Sequence, residues 1–349
     1  MSSASAAART AREQVLALDL DLPHGRLRAS RLHPDEDLIR AEHDAWFRAL
    51  LTDVRLKGSE RIFRECEGVS LMCRVLPEAD AERLVGICIA ASALFLLDDV
   101  ADDEACERAR ADDYLAVLHD AAPSTPGSAP LRLLARTLTR ARAGVPARLW
   151  TRFVAGFSEV IAAGAGKGQS AIDSYEGYLK VRYADSAFDL VGVAIEHGLG
   201  MDLTRTAATA PADLWGSLHQ TCFVHTILVN DLLSFRKEYF GAEPMNALSV
   251  LARTEGLTLQ QAATEVCTRI ADAEDAFLTH AAALRGPGAH ASPDADLDRY
   301  LTAWELMLAG NLTWSLGCAR YHGAAAPQRR PGDPLPTRME LHRDRTVFS

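Results

Sequence analysis

Residues 229–238 read VNDLLSFRKE, an apolar stretch that carries three regularly spaced oxygen-bearing side chains. Asn230, Ser234 and Glu238 are spaced four residues apart, so at about 100° per residue their side chains lie one above another on a helix. Lys237 falls on the same face. The flanking sequence HTILVNDLLSF is too apolar for ordinary surface, and buried polar atoms need partners. The stretch predicts a buried helix whose oxygen-bearing stripe suits a hard divalent cation and an anion that shares it.

The composition fits a soluble globular protein and excludes several other classes. The chain has 349 residues, of which 48% are hydrophobic and 24% are charged. A net charge of −10 argues against a nucleic-acid partner, and no apolar run reaches the length of a membrane-spanning helix. The seven scattered cysteines include no Cys-x-x-Cys pair, so they indicate reduced thiols in a cytoplasm.

Helical periodicity dominates the chain, and strand-like alternation is nearly absent. The sequence therefore predicts an all-α, single-domain bundle of about ten helices. We expect a disordered N-terminal tail (1–30), a helical domain (31–322) and a mobile, proline-rich C-terminal tail (323–349). Turn-rich breaks separate the helical segments. The predicted helices cover residues 35–55, 78–99, 103–120, 129–142, 146–163, 171–198, 211–239, 256–285 and 294–321.

A second polar site ends the apolar segment LVGICIAASALFLLDDVADDE at residues 84–104. Asp98 and Asp102 are four residues apart and share a helix face. Like charges at this spacing raise one another's pKa, and the helix dipole opposes carboxylates at a helix C-terminus. A solvated acidic turn is the alternative for this motif taken alone. Its pairing with the stripe at 230–238 favours a cluster of Mg²⁺ ions held between two helices.

Together the two motifs resemble the metal motifs of class I terpene synthases, the bacterial terpene cyclases. DDVAD (98–102) is followed about 130 residues later by NDLLSFRKE (230–238), which meets every position of the family's Asn-Asp-x-x-Ser-x-x-x-Glu pattern. YLKVRYADS (178–186) resembles its pyrophosphate-sensor segment, and NLTWSLGCARY (311–321) resembles its C-terminal Arg-Tyr segment. The likeness spans roughly residues 33–321, with the four motifs in the family's order.

The resemblance implies a class I terpenoid synthase fold with a central active-site cavity for a prenyl diphosphate and Mg²⁺ (three ions, for which Mn²⁺ substitutes). The implied metal ligands are Asp98, Asp102, Asn230, Ser234 and Glu238. The implied diphosphate-binding residues are Arg182, Lys237, Arg320 and Tyr321. Arg182, Asp185 and Ser186 match the sensor, linker and effector positions of the family. The effector is often Gly, so Ser186 is a departure that keeps the backbone carbonyl which faces the substrate. Asp99 is assigned to orienting Arg320 rather than to metal binding.

The cavity wall is expected to be apolar and aromatic, because ring faces stabilise cations. The candidate lining residues are Ala93, Phe95, Leu97, Phe157, Phe188, Phe223 and Trp314. For each of them taken alone, an ordinary core position is the commoner role. Family members that act on C15 substrates often carry Trp-x-Phe-x-Phe before the Asp motif, where this chain has Ala93 and Leu97 at the outer positions. These smaller side chains favour C20 geranylgeranyl diphosphate over C15 farnesyl diphosphate.

The predicted function is Mg²⁺-dependent ionisation of a linear prenyl diphosphate, followed by cyclisation of the carbocation and release of pyrophosphate. A chain-elongating prenyl transferase shares the fold but uses two Asp-rich motifs, whereas the second motif here carries Asn230, Ser234 and Glu238. A helical scaffold without activity is the other alternative, and it would predict a decayed metal site. LDLDLP (18–23) stops short of the DxDD motif that a protonation-started cyclase needs. The sequence leaves a homodimer open.

Overall fold

Helices make up most of the chain, which confirms the predicted all-α bundle. The structure is a computed structural model that describes residues 16–56, 59–60, 63, 67–102, 110–124, 127–165, 172–241, 245–286, 295–323, 326, 329 and 332–349, with the backbone alone at 98–102 and 165. None of the helices in this part of the chain is long and apolar enough to cross a membrane. In chain order, the helices with defined bounds are α1 (Glu36–Val54), α2 (Gly68–Val75), α3 (Ala81–Asp102), α4 (Ala111–Leu118), α5 (Ala129–Ala141), α6 (Ala147–Ala165), α7 (Tyr175–Asp185), α8 (Phe188–Leu199), α9 (Thr204–Thr209), α10 (Ala212–Gly241), α11 (Ala247–Thr254), α12 (Leu259–Arg285), α13 (Ala295–Ser315) and α14 (Ala319–His322).

The most apolar helices form the centre of the bundle. α10 extends over 30 residues, and Leu228, Leu232 and Phe235 on it have no solvent exposure. α12 packs along α10, while α3 packs against α1, α2 and α5. Burial of this much apolar surface is the main source of stability for such a bundle. Both helices that carry the predicted metal motifs, α3 and α10, are therefore held by the core.

One predicted helix is two helices in the structure. The sequence predicts a single helix over 171–198, whereas α7 ends at Asp185 and α8 begins at Phe188. Between them Ala187 has a φ of 56°, a left-handed conformation that is uncommon for a residue with a Cβ atom. The break lies within the predicted pyrophosphate-sensor segment. The short helices α2, α9 and α11 are also additions to the predicted set.

The two terminal segments pair in a small antiparallel sheet. Its strands are β1 (Leu16–Asp19), β2 (Arg338–Leu341) and β3 (Thr346–Phe348), and they lie in that order. The register pairs Leu16 with Leu341 across β1 and β2, and Met339 with Phe348 across β2 and β3. The sheet therefore joins the beginning and the end of the described chain.

This sheet corrects the predicted tails at 1–30 and 323–349. Leu18 of β1 is buried in the main hydrophobic core, together with residues of β2. The alternating leucines of LALDLDL (16–22) are the local signal, because side chains on a strand point to opposite faces with a period of two. The prediction was wrong because the pairing partner lies at the other end of the chain. Residues 1–15 lie outside the described residues.

Candidate active site

A cavity of about 1170 Å³ lies within the helical bundle, and most of its wall is apolar. The apolar wall comes mainly from α2, α3, α8 and α13, with Leu71, Ile87, Val191 and Met307 among its side chains. The polar lining side chains cluster around the second half of α10. This cluster contains most of the residues that the sequence predicts for the diphosphate end: Arg182, Asp185, Ser186, Asn230, Lys237, Glu238, Arg320 and Tyr321.

The predicted oxygen-bearing stripe on α10 is present, and its residues form two hydrogen-bonded groups. The Ser234 hydroxyl donates to Oε1 of Glu238 at 2.6 Å, as expected for side chains one helical turn apart. The Asn246 amide donates to the other oxygen, Oε2 of Glu238, at 2.7 Å. Asn230 lies one turn before Ser234, and its Nδ2 donates to the Tyr321 hydroxyl at 2.5 Å. The stripe therefore faces the C-terminal Arg-Tyr segment.

Arg182 lies against the same stripe and is held by three side chains. Its Nη1 donates to Oδ2 of Asp185 at 3.2 Å. Its Nη2 donates to Oδ1 of Asp231 at 3.1 Å and to Oδ1 of Asn230 at 3.3 Å. Burial alone disfavours the charged form, but the surrounding carboxylates, Asp231 first among them, outweigh it and raise the pKa of Arg182 above its ordinary value. The guanidinium is therefore a fixed positive charge at the polar end of the cavity.

Asp231 is a buried anchor that the sequence analysis did not assign. Its side chain has no solvent exposure and accepts hydrogen bonds from the Tyr178 hydroxyl, Arg182 and the Ala247 N–H. Burial raises the pKa of Asp231, and the Arg182 charge opposes that rise. Asp231 and Tyr178 lie inside the motifs already quoted, as the Asp of Asn-Asp and the Tyr that opens YLKVRYADS. Motif membership was the signal, but the role could be read only from the packing.

Glu238 lies where a bound cation would offset the cost of burying its charged carboxylate. Burial raises the pKa of Glu238 to about 7, and the charge of Asp231 adds to the rise, while hydrogen bonds from Ser234 and Asn246 oppose it. Among the described side chains no three Cys, His, Asp or Glu converge. A metal ion at this stripe would therefore rely on the Asn and Ser oxygens beside a single carboxylate. Such hard oxygen donors fit an ion of the Mg²⁺ type.

The first metal motif lies partly outside the described residues. α3 extends to Asp102, but the side chains of Asp98, Asp99 and Asp102 are not described, so their assignments stay predictions. Phe95, one turn earlier, lines the cavity. The Arg320 guanidinium lies 5.2 Å from the centroid of the Phe95 ring. The last turns of α3 are therefore close to the C-terminal Arg-Tyr segment.

An aromatic wall connects α3 to that segment. The Phe95 and Trp314 rings are stacked with centroids 6.4 Å apart. Trp314 in turn meets Tyr321 edge-on at 5.3 Å. Phe95 and Trp314 both line the cavity, as the sequence predicts. Their ring faces can stabilise positive charge inside it.

The helix break at Ser186 turns a backbone carbonyl away from helical pairing. The Leu190 N–H donates to the carbonyl of Ala187 at 3.0 Å, so it is not used on the carbonyl four residues back, which is that of Ser186. Ser186 lines the cavity. A carbonyl without its usual helical donor can point its negative end at a nearby cation. This geometry is compatible with the effector role that the resemblance implies.

Five of the predicted lining residues are not among the residues that line the cavity. The α3 residues that line the cavity include Ile87, Ala91, Leu94 and Phe95, and neither Ala93 nor Leu97 is among them. Phe188 and Phe223 pack edge-on with centroids 5.5 Å apart, away from the lining. The predictions that this structure corrects are Ala93, Leu97, Phe157, Phe188 and Phe223, all of which pack in or against its hydrophobic clusters. The argument for a C20 substrate rested on Ala93 and Leu97 and loses its basis.

The fold and the polar cluster define a class I terpene synthase, and comparison with known proteins agrees. Residues 90–276 match the family described as terpene synthase family 2, C-terminal metal binding. The chain is 27% identical over 310 residues to microbial terpene synthase-like protein 13 of Selaginella moellendorffii, covering 84% of this chain and 85% of that protein. It is also 27% identical over 306 residues to (3S,6E)-nerolidol synthase of the same organism, covering 84% of this chain and 81% of that protein.

The structural comparison gives the same fold. The germacradien-4-ol synthase structure from Streptomyces citricolor superposes with a TM-score of 0.68 at 21% identity, covering 85% of this chain and 97% of that chain. The chain belongs to terpene synthase family 2, whose C-terminal domain binds metal. The resemblance drawn from the sequence motifs is thereby confirmed at the level of the family.

Proposed function

We propose that this terpene synthase ionises farnesyl diphosphate, a C15 prenyl diphosphate, and converts the carbocation to a terpene hydrocarbon or alcohol with release of pyrophosphate. One observation carries the proposal: Asn230 and Glu238 line the polar end of an apolar cavity, where Asn230 contacts Arg182 and Tyr321 and Ser234 donates to Glu238. The C15 length is supported by the nerolidol synthase relative, since nerolidol is a C15 alcohol. The argument from Ala93 and Leu97 for a C20 substrate does not count against this length, since neither residue lines the cavity.

The metal part of the proposal is three Mg²⁺ ions. Asn230, Ser234 and Glu238 would hold one ion, and Asp98 and Asp102 would hold the other two. The raised pKa of Glu238 and the oxygen-only donor set support the first of these sites. When bound, the ions supply Lewis-acid stabilisation of the departing pyrophosphate.

The basic and hydroxyl side chains of the polar cluster bind and orient the diphosphate. Arg182 is fixed by Asp185 and Asp231, and its Nε is buried without a hydrogen-bond partner among the described residues. A buried donor of this kind is costly unless a ligand accepts from it. Lys237 and Arg320 line the same region and add positive charge for the phosphate oxygens.

The apolar part of the cavity keeps water away from the carbocation. Phe95 and Trp314 line the cavity with their rings stacked on each other, and aromatic faces attract cations. The Ser186 carbonyl, which does not accept from the Leu190 N–H, would steer the developing charge. Exclusion of water from such a site prevents early quenching of a reactive intermediate.

The test is turnover of purified protein with Mg²⁺ and farnesyl or geranylgeranyl diphosphate, alone and in competition, with the organic products analysed by gas chromatography and mass spectrometry. We expect kcat/KM for farnesyl diphosphate to exceed that for geranylgeranyl diphosphate by about tenfold or more. The opposite ratio would refute the C15 assignment. Longer diphosphates formed after addition of isopentenyl diphosphate would support a prenyl transferase. Absence of pyrophosphate release from every substrate would support the scaffold.

A further inference from the structure

Arg236 lies inside the second metal motif but reaches away from the cavity. It is 8% exposed, and its Nε donates to the carbonyl of Tyr321 at 2.7 Å. Its Nη1 donates to the carbonyl of Arg343 at 2.8 Å. Arg343 lies in the turn at 342–345, which joins β2 to β3. One guanidinium therefore ties the metal-motif helix to two separate C-terminal segments.

Residues of α10 therefore contact Tyr321 at two points, its side-chain hydroxyl and its backbone carbonyl. Asn230 donates to its hydroxyl at 2.5 Å, and Arg236 donates to its backbone carbonyl. The two donors are six residues apart on one helix, so Tyr321 is braced along that helix. Arg320 precedes Tyr321 in the chain, so the same two contacts constrain the backbone next to Arg320.

The C-terminal turn also packs against the residues that follow Tyr321. The rings of His322 and Phe348 meet edge-on at 4.8 Å. Gly323 has a φ of 78°, and a Cβ atom there would lie 2.2 Å from the carbonyl oxygen of Asp344. Only glycine fits this approach. The backbone that follows α14 therefore packs directly against the turn at 342–345.

The hairpin formed by β2 and β3 is attached to the helical bundle through β1. β2 pairs with β1, and β1 is joined to α12 through Gln260. The Asp19 N–H donates to Oε1 of Gln260 at 2.9 Å, and Nε2 of Gln260 donates to the Asp19 carbonyl at 3.0 Å. The turn at 342–345 is therefore a fixed surface and not a loose end.

We propose that Arg236 is a positioning residue for the diphosphate site: by joining Tyr321 to the C-terminal turn, it holds Arg320 and Tyr321 over the metal-motif helix. This inference rests on the proposed function. It makes the C-terminal hairpin a part of the diphosphate site although no hairpin residue lines the cavity. Loss of the brace lowers affinity for the diphosphate before it affects the chemistry of the bound substrate.

The experiment measures binding of inorganic pyrophosphate with Mg²⁺ by calorimetry, KM and kcat with farnesyl diphosphate, and the melting temperature. Arg236→Met should weaken pyrophosphate binding about tenfold or more, because a charge-assisted hydrogen bond is lost. KM should rise by a similar factor and kcat should change less. Gly323→Ala should reproduce the effect with Arg236 intact, since its Cβ displaces the Asp344 carbonyl.

Arg338→Gln is the matched control. It removes a hairpin arginine whose Nη1 bonds to Oδ1 of Asp19 at 2.9 Å, and it leaves Tyr321 untouched, so pyrophosphate affinity should stay at the wild-type value. If Arg236→Met does not fold, Gly323→Ala decides. Wild-type turnover together with wild-type pyrophosphate affinity in the folded variants would overturn the positioning role and leave the proposed function standing. If the wild-type protein binds no pyrophosphate in the presence of Mg²⁺, both the positioning role of Arg236 and the proposed function are contradicted.

Discussion

At the scale of single residues, the polar end of the cavity, where we propose that the diphosphate binds, contains a buried ion pair that is assembled before any substrate binds. Asp231 has no solvent exposure and holds Arg182 at 3.1 Å. Tyr178 and the Ala247 N–H complete its hydrogen bonds. A buried carboxylate with three donors loses little freedom when a ligand arrives, and this preorganisation favours binding of an anion by Arg182.

Asp231→Asn tests this pair. The change removes the negative charge but nearly keeps the side-chain shape, so Arg182 stays buried with Asp185 as its remaining carboxylate partner among those described here. We expect the free energy of unfolding to fall by about 2–4 kcal/mol. Urea denaturation followed by circular dichroism measures it.

The control for that change is Asp53→Asn. Asp53 also pairs with an arginine, Arg136, at 2.7 Å, but both side chains are 60% exposed. An exposed pair contributes about 1 kcal/mol at most. Equal losses in the two variants would show that burial of Asp231 does not matter for stability.

At the scale of elements, the small helix α14 links the active-site wall to the terminal sheet. His322 at its end is buried, and one ring nitrogen hydrogen-bonds to the Ser315 carbonyl at 2.6 Å. Burial lowers the pKa of His322 to about 4, the Ser315 carbonyl opposes this, and the nearby Arg236 charge lowers it further. The folded state therefore needs a neutral imidazole at this position.

The folded protein should lose stability in mild acid through His322. An unfolded chain has a histidine pKa near 6.5, so the unfolded state binds the proton first as the pH falls. The contribution is complete above pH 6.5 and is lost between pH 6.5 and about 4, amounting to about 3 kcal/mol. Unfolding free energies at pH 7, 5.5 and 4.5 should therefore fall more steeply in the wild type than in His322→Gln. The exposed His24 provides the control His24→Gln. Equal slopes in all three proteins would contradict the account.

Elements also show what the sequence could predict and why. The four-residue spacing of Asn230, Ser234 and Glu238 sets one helix face, and the structure brings their side chains together. The break at Ala187 could not be predicted, because no Gly or Pro marks it and packing imposes its left-handed φ. The phase of α3 was missed as well, since an all-apolar helix carries no polar stripe that shows which side faces the cavity.

Contacts between segments that are far apart in the chain are the second kind of feature that the sequence could not predict. β1 pairs with β2 although more than three hundred residues separate them, and neither strand exceeds four residues. Short strands with one buried face leave a weak local pattern. The role of Arg236 could not be predicted for the same reason, because its acceptors at Tyr321 and Arg343 lie far along the chain. The family motifs predicted which residues would carry the chemistry. The residues that hold them in place, such as Arg236, could be identified only from the tertiary packing.

At the scale of the whole molecule, the proposed diphosphate site is assembled from α3, α7, α10 and α14. Residues from these four helices line the same cavity, as Phe95, Arg182, Glu238 and Tyr321 show. A ligand shared by several helices stabilises the folded state as a whole, because the unfolded chain cannot bind it.

We therefore expect Mg²⁺ and pyrophosphate to act together on thermal stability. Neither alone should raise the melting temperature much, since metal and anion each need the other's charge at this site. Together they should raise it by more than the sum of the separate shifts. Differential scanning fluorimetry with each ligand alone and with both measures this. An additive response would indicate independent sites and would contradict a shared cluster.

The most direct test of the central claim is Mg²⁺-dependent release of pyrophosphate from farnesyl diphosphate by three proteins: the wild type, Glu238→Gln and Glu265→Gln. Glu265 lies on the outer part of α12 in an ion pair with Arg269, so its variant controls for the loss of a glutamate charge. The account predicts release by the wild type that a chelator abolishes, a loss of about a hundredfold or more in Glu238→Gln, and no loss in Glu265→Gln. Release that persists with the chelator present, or near wild-type release in Glu238→Gln, would contradict it.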